Sequence, residues 1–229
     1  ALCEAGAITA VRTAAVSALA TDKLARPEAV TVAILGAGTQ AGSHIEAMLN
    51  VRPIERFRVW SRAADKVQAF ATEQADRHRV TVEPAADVAS AVAGADIVCS
   101  TTSAGEPVLF GQMLEPGMHV NAVGASIPSW REIDPGVLPL TTLFTDRRES
   151  LANEAGEYIQ ALEMGLVEHG LVVPEIGEVL NGDHPGRTSE TEITLFRSLG
   201  LAVEDIAAAR QVYQRAVAGG FGTHVELGG

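Results

Sequence analysis

One stretch, AVTVAILGAGTQAG at residues 29–42, constrains the fold of this chain more than any other. Its first half is a short apolar run rich in β-branched residues, which predicts a strand buried on both faces. Its second half, Gly36 to Gly42, fits the pattern G-x-G-x-x-(x)-G and leads directly into a helical run at 44–50. A strand, a glycine turn and a helix N-terminus together form a receptor for a pyrophosphate. We therefore predict a dinucleotide-binding turn; the alternative is a glycine-rich turn that binds nothing.

The residues of this turn have separate expected roles. Gly36 permits the tight turn, and Gly38 lets the backbone approach a pyrophosphate. Ala41 stands where the third glycine of the pattern usually stands, and its small side chain lets the helix pack close to the strand. Thr39 and Gln40 begin the helix, where free N–H groups and the positive dipole end face an anion.

Strands alternate with helices over most of the chain. We predict strands at 30–35, 56–61, 80–82, 96–100, 117–123 and 142–145, and helices at 2–24, 44–50, 63–77 and 87–93. This alternation predicts an α/β fold with a Rossmann-type, doubly wound parallel sheet. After Asp146 the pattern changes to helices and loops, with helices at 147–166 and 203–218 and a Gly/Pro-bearing stretch at 177–186. We divide the chain into a Rossmann domain at 28–146, flanked by the helix at 1–27 and a helical tail at 147–229 from a second, incomplete domain.

Ligands of such sheets bind outside the carboxyl ends of the strands. Those ends carry small, polar or basic residues: Ser61 and Arg62, Thr101 and Thr102, and Val123 to Ser126. NAD-specific folds place an acidic residue at the end of the second strand to bind the ribose 2′-hydroxyl, but here that end is Ser61-Arg62. A hydroxyl and a guanidinium attract a 2′-phosphate, so we predict NADP(H) in preference to NAD(H). The alternative for Arg62 is a solvated surface arginine.

Composition excludes several classes of function. The net charge of −12 argues against nucleic-acid and anionic-membrane partners. There is no apolar run that could span a bilayer and no secretory signal, and the two cysteines, Cys3 and Cys99, lie far apart. We predict a cytoplasmic protein with reduced thiols. Its six histidines show no ligand spacing, so we predict no metal site.

Several separate motifs resemble the ornithine cyclodeaminase/mu-crystallin family. They are 10-AVRTAA-15, 36-GAGTQA-41, 121-NAVGAS-126, 186-GRTS-189 and 196-FRSLGLAVED-205. The resemblance implies that Arg12 and Thr13 contact the cofactor pyrophosphate. It also implies dinucleotide contacts from the residues at the strand ends, namely Gly36, Gly38, Thr39, Gln40, Ser61, Arg62, Thr101, Thr102 and Val123. Ser198 resembles a family serine near the nicotinamide; the alternative is a helix-end hydroxyl. Ser126 either lines the nicotinamide side of the cleft or only ends a strand.

The resemblance is closer to the mu-crystallin, or ketimine reductase, branch. The cyclodeaminase branch has an aspartate after V-G-G, whereas here Val123-Gly124 continues as Ala125-Ser126. We therefore expect an NADP(H)-dependent oxidoreductase that reduces the C=N bond of a small imino acid. The alternatives are an ornithine cyclodeaminase-type ammonia lyase that uses NAD and a non-catalytic NADPH-binding protein.

Further expectations follow from the resemblance. Glu154, in the first helix after the sheet, is the candidate catalytic residue facing the substrate amine or imine; the alternative is a solvated charge. The second domain implies a homodimer. The sequence begins at Ala1 inside an amphipathic helix, and the upstream family segment that supplies much of the substrate pocket is not in it. We therefore expect a fragment, or part of a longer protein.

Overall fold

The strands of the described chain, residues 1–223 of a computed structural model, form one parallel sheet. They are β1 (Thr31–Leu35), β2 (Arg56–Trp60), β3 (Thr81–Pro84), β4 (Ile97–Ser100), β5 (His119–Ala122), β6 (Thr142–Thr145) and β7 (Thr194–Arg197). Their order in the sheet is β3-β2-β1-β4-β5-β7-β6. The order reverses between β1 and β4, as in a doubly wound sheet, so the predicted fold class is confirmed.

Helices cover the sheet and connect its strands. They are α1 (Ala5–Leu24), α2 (Thr39–Leu49), α3 (Ala64–His78), α4 (Val88–Val92), α5 (Arg148–Glu154), α6 (Gly156–Glu163), α7 (Ile176–Asn181) and α8 (Ala202–Gly219). Short 3-10 turns lie at Gly111–Met113 and Pro135–Leu140. Within residues 1–223, no helix is long and apolar enough to cross a membrane.

The central strands β4, β5 and β7 are buried on both faces, whereas β3, at one edge of the sheet, exposes three of its four residues. Consecutive side chains of a strand point to opposite sides of the sheet, so a strand buried in this way contacts two cores. Val32 and Ile34 of β1 belong to a core with α2 and α3 on one side. Ala33 and Leu35 of the same strand belong to a second core, which includes α4 and α6, on the other side. The continuous apolar run in the sequence is therefore the signature of a strand between two cores.

The chain after Asp146 differs from the prediction. It contributes β7, which lies between β5 and β6 and so belongs to the sheet, and it contributes the short helix α7. The helix predicted over 147–166 is two helices, α5 and α6, which meet at Ala155. A Cβ at Gly156 would lie 2.5 Å and 2.6 Å from the carbonyl oxygens of Trp130 and Pro128, so the close approach of another segment requires glycine at the start of α6.

A buried polar seam joins α1 to the rest of the fold. His44 of α2 lies 2.7 Å from the Gln40 carbonyl and 3.0 Å from Ser17 Oγ of α1. Asn121 of β5 donates to Thr21 Oγ1 of α1 at 2.9 Å and lies 3.2 Å from His119 Nε2. Both imidazoles are fully buried. Burial lowers the pKa of His44 to about 4, and burial together with the charge of Arg187 lowers the pKa of His119 to about 3.

Arg187 fixes the carboxyl end of α1 to the same region. Its guanidinium donates to the Leu24 carbonyl at 2.5 Å, to the Met118 carbonyl at 3.0 Å and to Thr194 Oγ1 at 3.0 Å. The 186-GRTS-189 motif therefore has a structural role, because it joins α1 to β5 and β7.

The two neutral histidines predict a pH-dependent stability. Their folded pKa values lie below the unfolded value, so the unfolded chain binds more protons below about pH 6.5 and the free energy of unfolding falls as the pH is lowered. The slope is expected to reach at most about 1.4 kcal/mol per pH unit for each histidine. Urea unfolding at about pH 7.5 and 5.5 measures it. His44→Gln should reduce the loss on acidification, whereas His169→Gln, at an exposed position, should leave it unchanged; equal losses in both variants would contradict this account.

Candidate functional site

A cleft of about 750 Å³ opens at the carboxyl ends of β1, β2, β4, β5 and β7. Thirteen of the residues singled out from the sequence line it: Arg12, Thr13, Gly36, Gly38, Thr39, Gln40, Ser61, Arg62, Thr101, Thr102, Val123, Ser126 and Ser198. Two others do not. Ala41 is fully buried in the packing of α2 against the sheet, where a small residue allows close approach, and Glu154 lies elsewhere.

The glycine turn forms the centre of the cleft. Gly36 has a φ of +122°, and a Cβ there would lie 2.9 Å from both the carbonyl oxygen and Oγ1 of Thr101. Its N–H donates to the Trp60 carbonyl at 2.7 Å, which joins the end of β1 to the end of β2. Gly38 precedes α2, and a Cβ added there would meet no atom within 4 Å. The turn thus presents an open, uncapped helix N-terminus to the cleft.

Two side chains of the cleft carry buried polar atoms without a partner. Thr13 Oγ1 and Gln40 Oε1 form no hydrogen bond within the described residues, although Thr13 is only 5% exposed. A buried polar group without a partner is costly, and a ligand that supplies a donor or an acceptor removes that cost. The Thr13 hydroxyl can donate to a phosphate oxygen, whereas Gln40 Oε1 can only accept, for example from a ribose hydroxyl. With the open space at Gly38, these atoms fit a ligand that carries both phosphate and hydroxyl groups.

The positive charges of the cleft have different environments. Arg12 is paired with α8, since it lies 3.3 Å from Glu204 and 3.0 Å from Asp205. Arg62 and Lys66 are exposed at the end of β2 and the start of α3, and within residues 1–223 neither forms an ion pair. The residue before α3 is Ala63, whose side chain cannot cap the helix. Sequence reasoning missed Lys66, whose position in the first turn of a predicted helix was its only signal.

Two buried charged residues that sequence reasoning also missed support the loop after β5. Glu132 accepts hydrogen bonds from the N–H groups of Val123 and Gly124, and Arg197 donates to the carbonyls of Ala122 and Ala125. Burial raises the pKa of Glu132, and the charge of Arg197 opposes this effect. The backbone donors and acceptors of this loop are thus bound by one acid and one base.

The structure does not bring Glu154 to the cleft. It is half-buried at the end of α5, which follows β6 at the edge of the sheet. The buried carboxylate of this region is Glu157, which pairs with Arg197; both side chains are at most 3% exposed. Helical spacing alone does not distinguish the two glutamates, because their burial depends on the break at Ala155.

Nothing in the described part of the chain points to a metal centre. No group of three or more His, Cys, Asp or Glu residues there could hold an ion. His44 and His119 use their ring nitrogens in internal contacts. His224 lies outside the described residues.

Comparison with known proteins gives matches along most of the chain. A model of the ornithine cyclodeaminase/mu-crystallin family matches residues 1–220. Ketimine reductase mu-crystallin of Mus musculus is 42% identical over 207 residues, which make up 90% of this chain and 62% of the mouse protein. A Delta(1)-pyrroline-2-carboxylate reductase of Bacillus cereus is 36% identical over 228 residues, which make up 99% of this chain and 70% of that protein.

A solved structure agrees with these matches. Thermococcus litoralis Delta(1)-pyrroline-2-carboxylate reductase, in complex with NADH and L-proline, superposes with a TM-score of 0.92 at 35% identity. The match covers 95% of this chain and 68% of that one. The chain thus spans about two thirds of the length of these relatives, and 62% of the mouse protein. With a match over residues 1–220, the chain belongs to the ornithine cyclodeaminase/mu-crystallin family.

Proposed function

We propose that the protein is an NADP(H)-dependent oxidoreductase that reduces the C=N bond of a small imino acid. One observation carries the proposal: a continuous cleft runs from Arg62 and Lys66, which form no ion pair within residues 1–223, past the glycine turn, to serines after β5 and β7. The named relatives, a ketimine reductase and pyrroline-2-carboxylate reductases, support the reaction class.

The residues of the cleft fit a dinucleotide. The Thr13 hydroxyl, which has no partner within residues 1–223, and the open space at Gly38 support binding of the pyrophosphate at this part of the cleft. When bound, the nicotinamide supplies the hydride. The protein's contribution is to hold the dinucleotide along the strand ends, to orient the imine carbon and to exclude water. Ser126 and Ser198 are the hydroxyls that we assign to the reacting end of the cleft.

Local charge supports NADP(H) in preference to NAD(H). No acidic residue of the described chain lines the cleft, while Ser61, Arg62 and Lys66 do. Asp65, in the first turn of α3, is outside the lining. An acid at the end of β2 would repel a 2′-phosphate, whereas a guanidinium and an ammonium attract it. The Thermococcus litoralis protein was solved in complex with NADH, so the cofactor preference of this chain has to be measured directly.

The same lack of acidic lining favours a reductase over an ammonia lyase. The cyclodeaminase branch places an aspartate where this chain has Ser126, and no other carboxylate of the described residues replaces it in the cleft.

A cytoplasmic location and a homodimer formed by a second domain remain predictions. In support of the dimer, α8 buries none of its side chains, and Val203, Ile206 and Val217 are more than 60% exposed. A monomeric mass in solution would contradict the dimer.

Turnover by the complete gene product tests the proposed function. NADPH oxidation is measured with a panel of cyclic imino acids, beside the same panel with NADH. We expect turnover with at least one imino acid and a higher kcat/KM with NADPH. Turnover of ornithine with catalytic NAD and no net reduction would indicate a lyase instead. Saturable NADPH binding without turnover would indicate a binding protein.

Substitution of the cations at the end of β2 tests the cofactor preference. Each charge-assisted hydrogen bond contributes about 1.5–3 kcal/mol, so the double variant Arg62→Ser, Lys66→Ser, which removes the bonds of both cations, is expected to weaken NADPH binding by about a hundredfold or more. Binding of NADH should change little, because NADH has no 2′-phosphate. Arg77→Ser, at an exposed position near the other end of α3, is the matched control. An equal loss for the two cofactors would contradict the assignment.

The glycine before α2 offers a test that leaves the fold intact. Gly38 has an ordinary extended backbone, and a Cβ there would meet no protein atom. Gly38→Ala is therefore expected to change the free energy of unfolding by about 0.5 kcal/mol or less. Binding of the dinucleotide should weaken by about tenfold or more, because the methyl group occupies the path of the pyrophosphate. Gly177→Ala in α7, also with open space around its Cβ, should leave binding unchanged.

A further inference from the structure

Glu132 lies behind the two loops that close the β4–β5 side of the cleft. Its Oε1 accepts hydrogen bonds from the N–H groups of Val123 at 2.9 Å and Gly124 at 2.5 Å. Its Oε2 accepts from the N–H and the hydroxyl of Thr102, at 3.2 Å and 3.1 Å. With 1% exposure, the carboxylate is sealed from solvent and bonds to both loops at once.

The two loops approach each other as closely as backbone allows. A Cβ on Gly124 would lie 1.9 Å from the Thr102 carbonyl oxygen and 2.5 Å from Glu132 Oε2. Glu132 is itself fixed, because its carbonyl accepts the N–H groups of Val108 at 2.9 Å and Leu109 at 3.2 Å. One side chain therefore determines the spacing of the loops that begin after β4 and β5.

A carboxylate suits this position because its two oxygens accept up to four hydrogen bonds. A glutamine of the same shape offers one oxygen and one NH2 group. If its oxygen faces Val123 and Gly124, its NH2 group faces the N–H of Thr102, and two donors oppose each other. A substitution by glutamine thus keeps the packing and loosens one of the two loops.

The position of these loops gives Glu132 a consequence beyond stability. In a doubly wound sheet the glycine turn and the end of β2 serve one half of a dinucleotide, and the strand ends beyond the switch point serve the other. Thr102, Val123 and Gly124 all line the cleft on that second side. A shift of reacting groups by about 1 Å is enough to slow an enzyme about a hundredfold.

We propose that Glu132 is a positioning residue that fixes the loops after β4 and β5, and with them the nicotinamide half of the cleft. Its side chain does not line the cleft and acts through the backbone of Thr102, Val123 and Gly124. This inference rests on the proposed function, since it assigns a role in the same cleft.

The test compares two carboxylates that accept hydrogen bonds from backbone N–H groups, Glu132 at the carboxyl ends of the strands and Asp96 at their amino ends. Asp96 accepts the N–H groups of Val30 at 2.9 Å and Thr31 at 3.0 Å at the amino ends of the strands, far from the cleft. Glu132→Gln and Asp96→Asn are measured in the complete gene product for thermal stability, for kcat with NADPH and an imino acid, and for the Kd of NADPH and of 2′,5′-ADP. The last ligand contains only the adenosine half.

For Glu132→Gln we expect kcat to fall roughly ten- to hundredfold and NADPH to bind about threefold more weakly or worse, while the Kd of 2′,5′-ADP stays within about twofold. For Asp96→Asn we expect a lower thermal stability with kcat and both affinities retained. If Glu132→Gln does not fold, Glu132→Asp, which keeps the carboxylate but shortens the side chain by one methylene, is expected to show the same separation of the two affinities on a smaller scale.

Two outcomes would overturn the inference: kcat and NADPH affinity equal to those of the unmodified protein, or a parallel loss of both affinities with stability. A failure of the proposed function gives a different result from a failure of this inference. If the unmodified protein binds NADPH but reduces no imino acid, the affinities for NADPH and 2′,5′-ADP still decide the role of Glu132.

Discussion

Burial of both faces of a parallel sheet is the constraint on which the rest of this structure depends. With a packed core on each side of β1, strand interiors have room only for apolar side chains or for polar groups that are bonded within the protein. Residues that can bind a ligand therefore lie at the carboxyl ends of the strands. The switch point between β1 and β4 opens a crevice at these ends, and thirteen residues predicted from the sequence meet there.

The polar groups that remain inside are each tied to a position in the fold. Asn121 lies in a buried strand, and its amide donates to Thr21, which stabilises the observed position of α1 on the sheet. Glu132 and Arg197 do the same for the loop after β5, one through backbone donors and the other through backbone acceptors. A buried polar group that lost one of its hydrogen bonds here would lower the free energy of unfolding. These contacts therefore favour a single arrangement of the cleft walls.

Local patterns in the sequence were sufficient for the elements whose residues determine their own burial. The apolar run of β1 and the glycines after it specify strand, turn and helix without reference to distant residues. The strand β7 was missed because its four residues end in Arg197, whose burial depends on Glu157, forty residues earlier in the chain. Glu132 was missed for the same reason, since its partners are backbone N–H groups of other segments. Glu154 does not line the cleft, and its position depends on the break between α5 and α6 at Ala155, which a local pattern does not reveal.

The charges of the cleft reconcile an acidic protein with an anionic ligand. A net charge of −12 opposes the approach of a dinucleotide at long range. At an ionic strength of about 0.15 M, however, exposed charges are screened beyond about 8 Å, so the residues that line the cleft dominate the field inside it. There Arg62 and Lys66 form no ion pair with any acidic residue of the described chain, and two helix N-termini add partial positive charge. Arg12 is different, because Glu204 and Asp205 already balance its charge. Under the proposed function, Arg12 therefore orients a phosphate by hydrogen bonding, while the attraction for the ligand comes from Arg62 and Lys66.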